Sequence, residues 1–221
     1  MATIAENLQA VRARIGAARG VTLLAVSKGQ GIERVKEASA AGQRAFGENY
    51  VQEALEKMQS LEEMRLPGLE WHLIGPLQSN KTRLAAERFA WVQTLDREKI
   101  AQRLSEQRPE RLAPLNVLIQ VNVSGEASKS GLAPRDVPAL AEAVSKMPRL
   151  KLRGLMAIPE PGAPRERYRE VKSLFDSLRE KFAWDTLSMG MSDDLELAIA
   201  EGATLVRIGT AIFGARERSA A

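Results

Sequence analysis

The chain has 221 residues, 44% of them hydrophobic, and 32 Lys+Arg against 28 Asp+Glu give a formal charge of +4. It has no cysteine and a single histidine, His72, which excludes disulfides, cysteine nucleophiles and zinc sites built from thiolates or several histidines. The basic excess is small and scattered, aromatics make up only 5% of residues, and no run approaches a membrane span or an apolar leader, so nucleic acid and membrane are not expected partners and a soluble, cytoplasmic protein is.

A helix is expected over about residues 3–18, before the first apolar run, Val21 to Ser27, which reads as a strand buried on both faces. Lys28 stands at the end of that run. An ammonium group held there, partly desolvated, loses some preference for its charged form, and the free amine can attack an aldehyde. The alternative is a lysine that marks a strand terminus and reaches into water.

Further strands are expected at 44–48, 70–75, 91–95, 115–123, 152–158, 186–190 and 205–209. Helical patterns alternate with them at Ile32–Ala41, Val51–Gln59, Arg97–Gln107, Val137–Lys146, Arg165–Phe182 and Asp194–Ala200. No linker divides the chain, so one domain over 1–221 is expected. Eight strand–helix units in this length predict an α/β fold, a single (β/α)8 TIM-type barrel with an additional N-terminal helix. An open doubly wound sheet would carry G-x-G-x-x-G after its first strand, and here Gly29 and Gly31 are followed by Arg34 where the third glycine belongs.

In a barrel, ligand-contacting groups lie just after the strands. Those positions hold Lys28, Glu48, Asn49, Gly75, Asn122, Pro159, Ser192, Gly209 and Thr210. Gly209 and Thr210 open a helical turn and can offer backbone N–H groups to an anion, in the part of a barrel where phosphates are commonly held. Ser192 can serve such an anion or cap its own helix, with Asp193 and Asp194 in the first turn. Arg207 alternates with Val206 and Ile208, and is either a structural ion pair low in the barrel or a group facing the ligand.

Taken together, Leu24 to Lys28, Phe46 to Glu53, Trp71 to Lys81, Val121 to Ser124 with Lys129 to Gly131, Arg153 to Ile158, Leu187 to Asp194 and Val206 to Gly214 closely resemble the pyridoxal-phosphate homeostasis protein family, relatives of the barrel domain of alanine racemase. The resemblance covers nearly the whole chain in order. It implies pyridoxal 5′-phosphate held covalently by Lys28 as an internal aldimine, with the phosphate on Ser192, Gly209 and Thr210. It also implies Arg207 at the pyridine nitrogen, and Asn49, His72 and Met156 lining the pocket. The sequence departs from the family in Gly29-Gln30-Gly31 after the lysine and in a shortened link over 16–20.

An arginine at the pyridine nitrogen opposes its protonation and weakens the cofactor as an electron sink. A racemase would need a second base, which in alanine racemase is a tyrosine of an additional β domain. No such domain is expected after the eighth strand. Tyr168 falls on an outer helix, and Tyr50 is expected to pack at a helix N-terminus. The expected function is therefore non-catalytic: a monomeric carrier that maintains vitamin B6 homeostasis and passes the cofactor to apo pyridoxal-phosphate enzymes. The alternatives are a weak amino-acid racemase dependent on the same cofactor and a phosphate-sugar barrel enzyme without it.

Overall fold

A computed structural model describes residues 2–16, 18, 20–64, 66, 68–125 and 130–215. Eight parallel strands close into a ring in sequence order: β1 (Thr22–Val26), β2 (Ala45–Glu48), β3 (Glu70–Leu73), β4 (Trp91–Leu95), β5 (Leu115–Val121), β6 (Leu150–Ala157), β7 (Thr186–Ser188) and β8 (Leu205–Ile208). Pairing of β8 with β1, from Thr22 opposite Leu205 to Ala25 opposite Ile208, completes the barrel that the alternation predicts. The strands carry few charges and bury both faces, as parallel strands must when helices cover the sheet.

The helices are α1 (Ile4–Ile15), α2 (Ile32–Ala40), α3 (Val51–Glu63), α4 (Thr82–Arg88), α5 (Glu98–Gln107), α6 (Val137–Ser145), α7 (Arg165–Phe182), α8 (Leu195–Ala200) and α9 (Thr210–Phe213). Helix α1 begins at a reciprocal cap, in which Thr3 Oγ1 accepts from the Glu6 amide and the Glu6 carboxylate accepts from the Thr3 amide. It buries Ile4, Leu8 and Val11 against α2, α8 and α9. Because α9 is a single turn, α1 covers the seam between the last and first strands, and Asn7 fastens it with a 2.9 Å bond to the Ile212 carbonyl.

The expected boundaries need correction in several places. α1 stops at Ile15 and not near residue 18, with Gly16 in a positive-φ conformation ending it. The strands expected at 70–75, 115–123 and 186–190 end at Leu73, Val121 and Ser188, because the residues that continue them, buried Val123 and Met189 included, already belong to the turns over the barrel mouth. β6 starts earlier than expected, at Leu150. Helix α4, seven residues with mixed polarity, had no counterpart among the expected elements. Lys129 and the link positions Ala17 and Arg19 lie outside the described residues.

The β5–β6 register slips between Val117 and Leu118. At the slip Gly154 has φ 144°, and a Cβ there would lie 2.0 Å from the Thr186 carbonyl oxygen, so only glycine lets β7 approach. Outside the ring, one large apolar cluster joins strands to helices. Inside it, Trp91, Leu118 and Met156 form a small separate cluster, and Leu24 and Leu205 are buried in register with Arg207 and Ser188.

Candidate functional site

The chain leaves β1 through Ser27, whose amide bonds the Gly47 carbonyl at 3.0 Å, and turns over Lys28 and Gly29, with the Gln30 amide returning to the Ser27 carbonyl at 3.0 Å. Lys28 is half-buried on this turn, at the C-terminal end of the barrel. Behind it lies a second lysine. Lys57 Nζ, on α3, donates at 2.7 Å to each of the Ser27 carbonyl, Glu48 Oε1 and Glu53 Oε1. Ser27 Oγ donates to Glu48 Oε1 at 2.6 Å, and the Gly29 amide to Glu53 Oε1 at 2.6 Å. The residues on either side of Lys28 are therefore pinned to one buried ion cluster.

With Nζ engaged by three oxygens, Lys57 is held within this cluster and is not presented to the mouth. Burial pushes the Glu48 carboxyl above its ordinary range, against the opposing pull of Lys57. Sequence spacing gave little warning of this cluster, because Glu53 and Lys57 are four apart on a helix and read as an ordinary surface pair.

Asn49 follows β2, half-buried, and lines a cavity of about 240 Å³ with Ile74, Gly75, Gln120, Asn122 and Ile158. A Cβ on Gly75 would fall 2.1 Å from the Asn49 carbonyl oxygen, so a glycine after β3 sets how close these two turns lie.

Across the mouth, Ser192 behaves differently from a cap. Its Oγ accepts from the Ala211 amide at 3.3 Å, tying the turn after β7 to the start of α9, while the helix that follows it, α8, has Asp194 at its N-cap position and no side-chain cap. Asp194 is held on the other side, accepting from the Tyr168 hydroxyl at 2.5 Å and the Met191 amide at 2.5 Å. Tyr168 is accordingly buried, with its phenol pushed up by burial and by Asp194. Tyr50, expected to pack at the start of α3, is instead 67% exposed. Gly209 and Thr210 open α9 beside Ser192, Thr210 in solvent and Gly209 half-buried.

One layer down, Arg207 is 4% exposed, donating from Nη1 to Ser188 Oγ at 2.8 Å and from Nη2 to the Ala157 carbonyl at 2.9 Å. Among the described residues it bonds no carboxylate, although Asp194 favours its charge from a distance, so the structure shows no salt bridge low in the barrel. Burial pulls its pKa down to about 10, which leaves it charged at neutral pH. Met156 packs in the lumen against Trp91 and Leu118.

His72 lies deeper than a pocket wall. Its Nε2 is 2.9 Å from Glu70 Oε1 and its Nδ1 is 2.8 Å from Gln93 Nε2, and the ring stacks on Trp91 at 5.0 Å and 7°. Burial holds its pKa below the ordinary imidazole value although Glu70 opposes the shift, and the His72 bond lowers the pKa of Glu70. At the base of the ring Arg153 closes the lumen, clamping Asp185 at 2.8 and 2.6 Å, reaching Asn116 at 2.9 Å and lying 4.9 Å over the Trp91 ring. Gln93 and Ser188 escaped the sequence reading. Their signal was a polar residue inside an apolar run, Gln93 in the middle of Trp91–Leu95 and Ser188 at the end of Thr186–Ser188.

The structure thus brings Lys28, Asn49, Ser192, Gly209 and Thr210 to the turns of the mouth, with Arg207 and Met156 in the lumen below and His72 toward the base. Among the described residues no cluster of His, Asp and Glu could hold a metal ion, and no helix is long and apolar enough to cross a membrane.

Residues 1–217 match the family described as alanine racemase, N-terminal domain. The pyridoxal phosphate homeostasis protein of Pseudomonas aeruginosa is 60% identical over all of this chain and 99% of its own length. The Escherichia coli K12 protein of that name is 53% identical, over 99% of each chain. The structure of PipY from Synechococcus elongatus superposes with a TM-score of 0.88 without PLP and 0.86 with PLP bound, at 38% identity over 96% of this chain and all of that one. Alanine racemase of Corynebacterium glutamicum, 16% identical with a TM-score of 0.76, shares the fold over 99% of this chain and 62% of its own. Match and coverage agree with the geometry of the barrel mouth, and the chain belongs to the pyridoxal phosphate homeostasis protein family.

Proposed function

We propose that the protein holds pyridoxal 5′-phosphate at the barrel mouth, covalently through Lys28, as a carrier that limits and redistributes the free aldehyde and turns over no substrate of its own. The observation that carries this reading is Arg207, buried, charged and, among the described residues, hydrogen-bonded to no carboxylate, directly beneath the mouth. The donor set suits the group: a primary amine on Lys28, hydroxyl groups on Ser192 and Thr210, and N–H donors on Arg207 for a pyridine nitrogen. Bound there, pyridoxal phosphate supplies an aldehyde that condenses with a primary amine and loses water.

Arg207 does the selecting. A fixed guanidinium disfavours a second positive charge on a nitrogen beside it, and so disfavours the protonated ring that carbanion chemistry needs. Lys57 and its carboxylates keep the Lys28 turn in place, and Asn49 with Gly75 shapes the opposite wall. Tyr168 is unsuited to act as a base, with its hydroxyl already given to Asp194. Tyr50, a phenol exposed just after β2, favours the second reading, a weak amino-acid racemase. The homeostasis names of the relatives support the carrier role, and the proposal extends to apo pyridoxal-phosphate enzymes as recipients, to a monomer and to the cytoplasm as its compartment.

Borohydride reduction after incubation with pyridoxal phosphate, followed by peptide mass spectrometry, tests the site. A pyridoxyl group on Lys28, lost in Lys28→Ala, is the expected result, and labelling spread over surface lysines with Lys28 unmodified overturns it. Incubating the loaded protein with separate D- and L-amino acids then divides the two readings. Turnover above that of free cofactor would establish the racemase.

A further inference from the structure

Four hydrogen bonds run through the barrel lumen from Arg207 to Glu70. Arg207 Nη1 donates to Ser188 Oγ at 2.8 Å, and Ser188 Oγ donates to Gln93 Oε1 at 2.7 Å. Gln93 Nε2 meets His72 Nδ1 at 2.8 Å, and His72 Nε2 meets Glu70 Oε1 at 2.9 Å. The members come from β8, β7, β4 and β3, and all but Glu70 are buried.

The chemistry fixes the direction of every link. A guanidinium has only donors, so Ser188 Oγ must accept from it and give its single proton onward. That proton needs the oxygen of Gln93, which turns the amide nitrogen toward His72. An amide nitrogen cannot accept, so Nδ1 is the bare nitrogen and Nε2 carries the hydrogen that Glu70 accepts. The chain therefore begins at a cation, ends at an anion, and satisfies each member in one orientation only. A barrel interior is ordinarily filled with branched apolar side chains, and buried polar networks are costly unless complete. This one is complete, and its upper end is the residue that faces the proposed ligand.

We infer that Glu70, His72, Gln93 and Ser188 form a relay that orients and electrostatically supports Arg207, making residues at the base of the barrel positioning residues for the site at its mouth. The relay supplies Arg207 with a carboxylate that it does not touch. It also places His72 in a role different from pocket lining. The ligand-binding part of the inference rests on the proposed function, and the coupling itself does not.

The chain has one histidine, so a full-length protein labelled with ¹⁵N-histidine shows a single imidazole. In ligand-free protein at neutral pH, His72 is expected as the neutral Nε2–H tautomer, and Arg207→Lys is expected to displace its Nδ1 resonance. Adding Arg207→Lys to Ser188→Ala should then move nothing further. If Ser188→Ala does not fold, Gln93→Met breaks the relay one link on and serves the same comparison. The opposite tautomer, an imidazole indifferent to Arg207→Lys, or an equal displacement with the relay already broken overturns the coupling.

With pyridoxal phosphate as the probe, Ser188→Ala is expected to bind about tenfold more weakly, the loss of one hydrogen bond to a charged group. Unchanged affinity with a lowered melting temperature would make the network merely structural and overturn the positioning role. Failure of Lys28 labelling in the parent protein would instead remove the ligand, while the ligand-free comparison still decides the relay.

Discussion

Two interiors meet at the strands of this barrel. The belt between sheet and helices is apolar and packed from many small contributions, such as Phe46 against Trp71 at 5.6 Å on neighbouring strands. The lumen combines a few apolar side chains, Leu24 and Leu205 among them, with the buried polar groups Arg207, Ser188, Gln93 and His72. Burial in the belt drives folding at roughly 25 cal/mol per Å² of apolar surface. Burial in the lumen takes polar groups out of water and recovers the cost only through directed hydrogen bonds. The belt makes the barrel stable, and the lumen makes it particular.

Substitutions in the two regions should therefore separate stability from binding. Phe46→Ala is expected to lower unfolding free energy by about 3–5 kcal/mol in denaturant titration, while the folded fraction keeps its affinity for pyridoxal phosphate. An affinity loss in step with stability would erase the distinction. Arg207→Met is the mirror experiment. It removes a buried charge together with two hydrogen bonds, so stability should stay within about 1 kcal/mol while affinity falls by roughly tenfold or more, measured by titration of the ligand's absorbance.

The lumen also predicts a pH signature. His72 has a folded pKa below its unfolded value, so the unfolded chain binds the extra proton and stability falls as pH drops below about 6.5. The slope can reach about 1.4 kcal/mol per pH unit, down to the folded pKa of His72. Glu48, with its pKa raised, works in the opposite sense, because stability falls as pH rises through its window. The decisive quantity is thus the difference between parent and His72→Gln, in which the histidine slope disappears. An identical pH profile in the two proteins would show that His72 is not held neutral.

The smallest effect belongs to the outer surface. Arg14 pairs with Glu196 at 2.7 Å with both side chains substantially exposed, and Arg14→Ala should cost about 0.5 kcal/mol in denaturant titration. A loss of several kcal/mol would mean that the covering helix α1 depends on this pair more than on Ile4, Leu8 and Val11.

The belt was largely legible in the sequence, because apolar runs punctuated by amphipathic stretches are its direct imprint. Helix α4 was not, since Thr82–Arg88 is short and its polarity follows no clear stripe. The turns at the mouth were legible as polar and glycine residues after apolar runs, which placed Lys28, Asn49, Ser192, Gly209 and Thr210. What each of them bonds was not. Ser192 stands where a cap should be, yet it serves a neighbouring unit, a contact fixed by the ring and not by local spacing. The lumen was the least legible part. Which residues meet across it depends on how far each strand is staggered around the barrel, and a single slip, like that beside Gly154, changes the partners.

The pairing of Thr22 with Leu205 and the bond from Asn7 to Ile212 join the two ends of the described chain. Lys28 stands just after the first strand, and Gly209 with Thr210 just after the last, so the mouth is incomplete until that seam is sewn. During synthesis a growing chain can assemble the middle strands early, but these three residues come together only with the most sequence-distant contacts in the fold. Ring closure is thereby the checkpoint for the proposed site: a chain that has not finished folding has not yet assembled it.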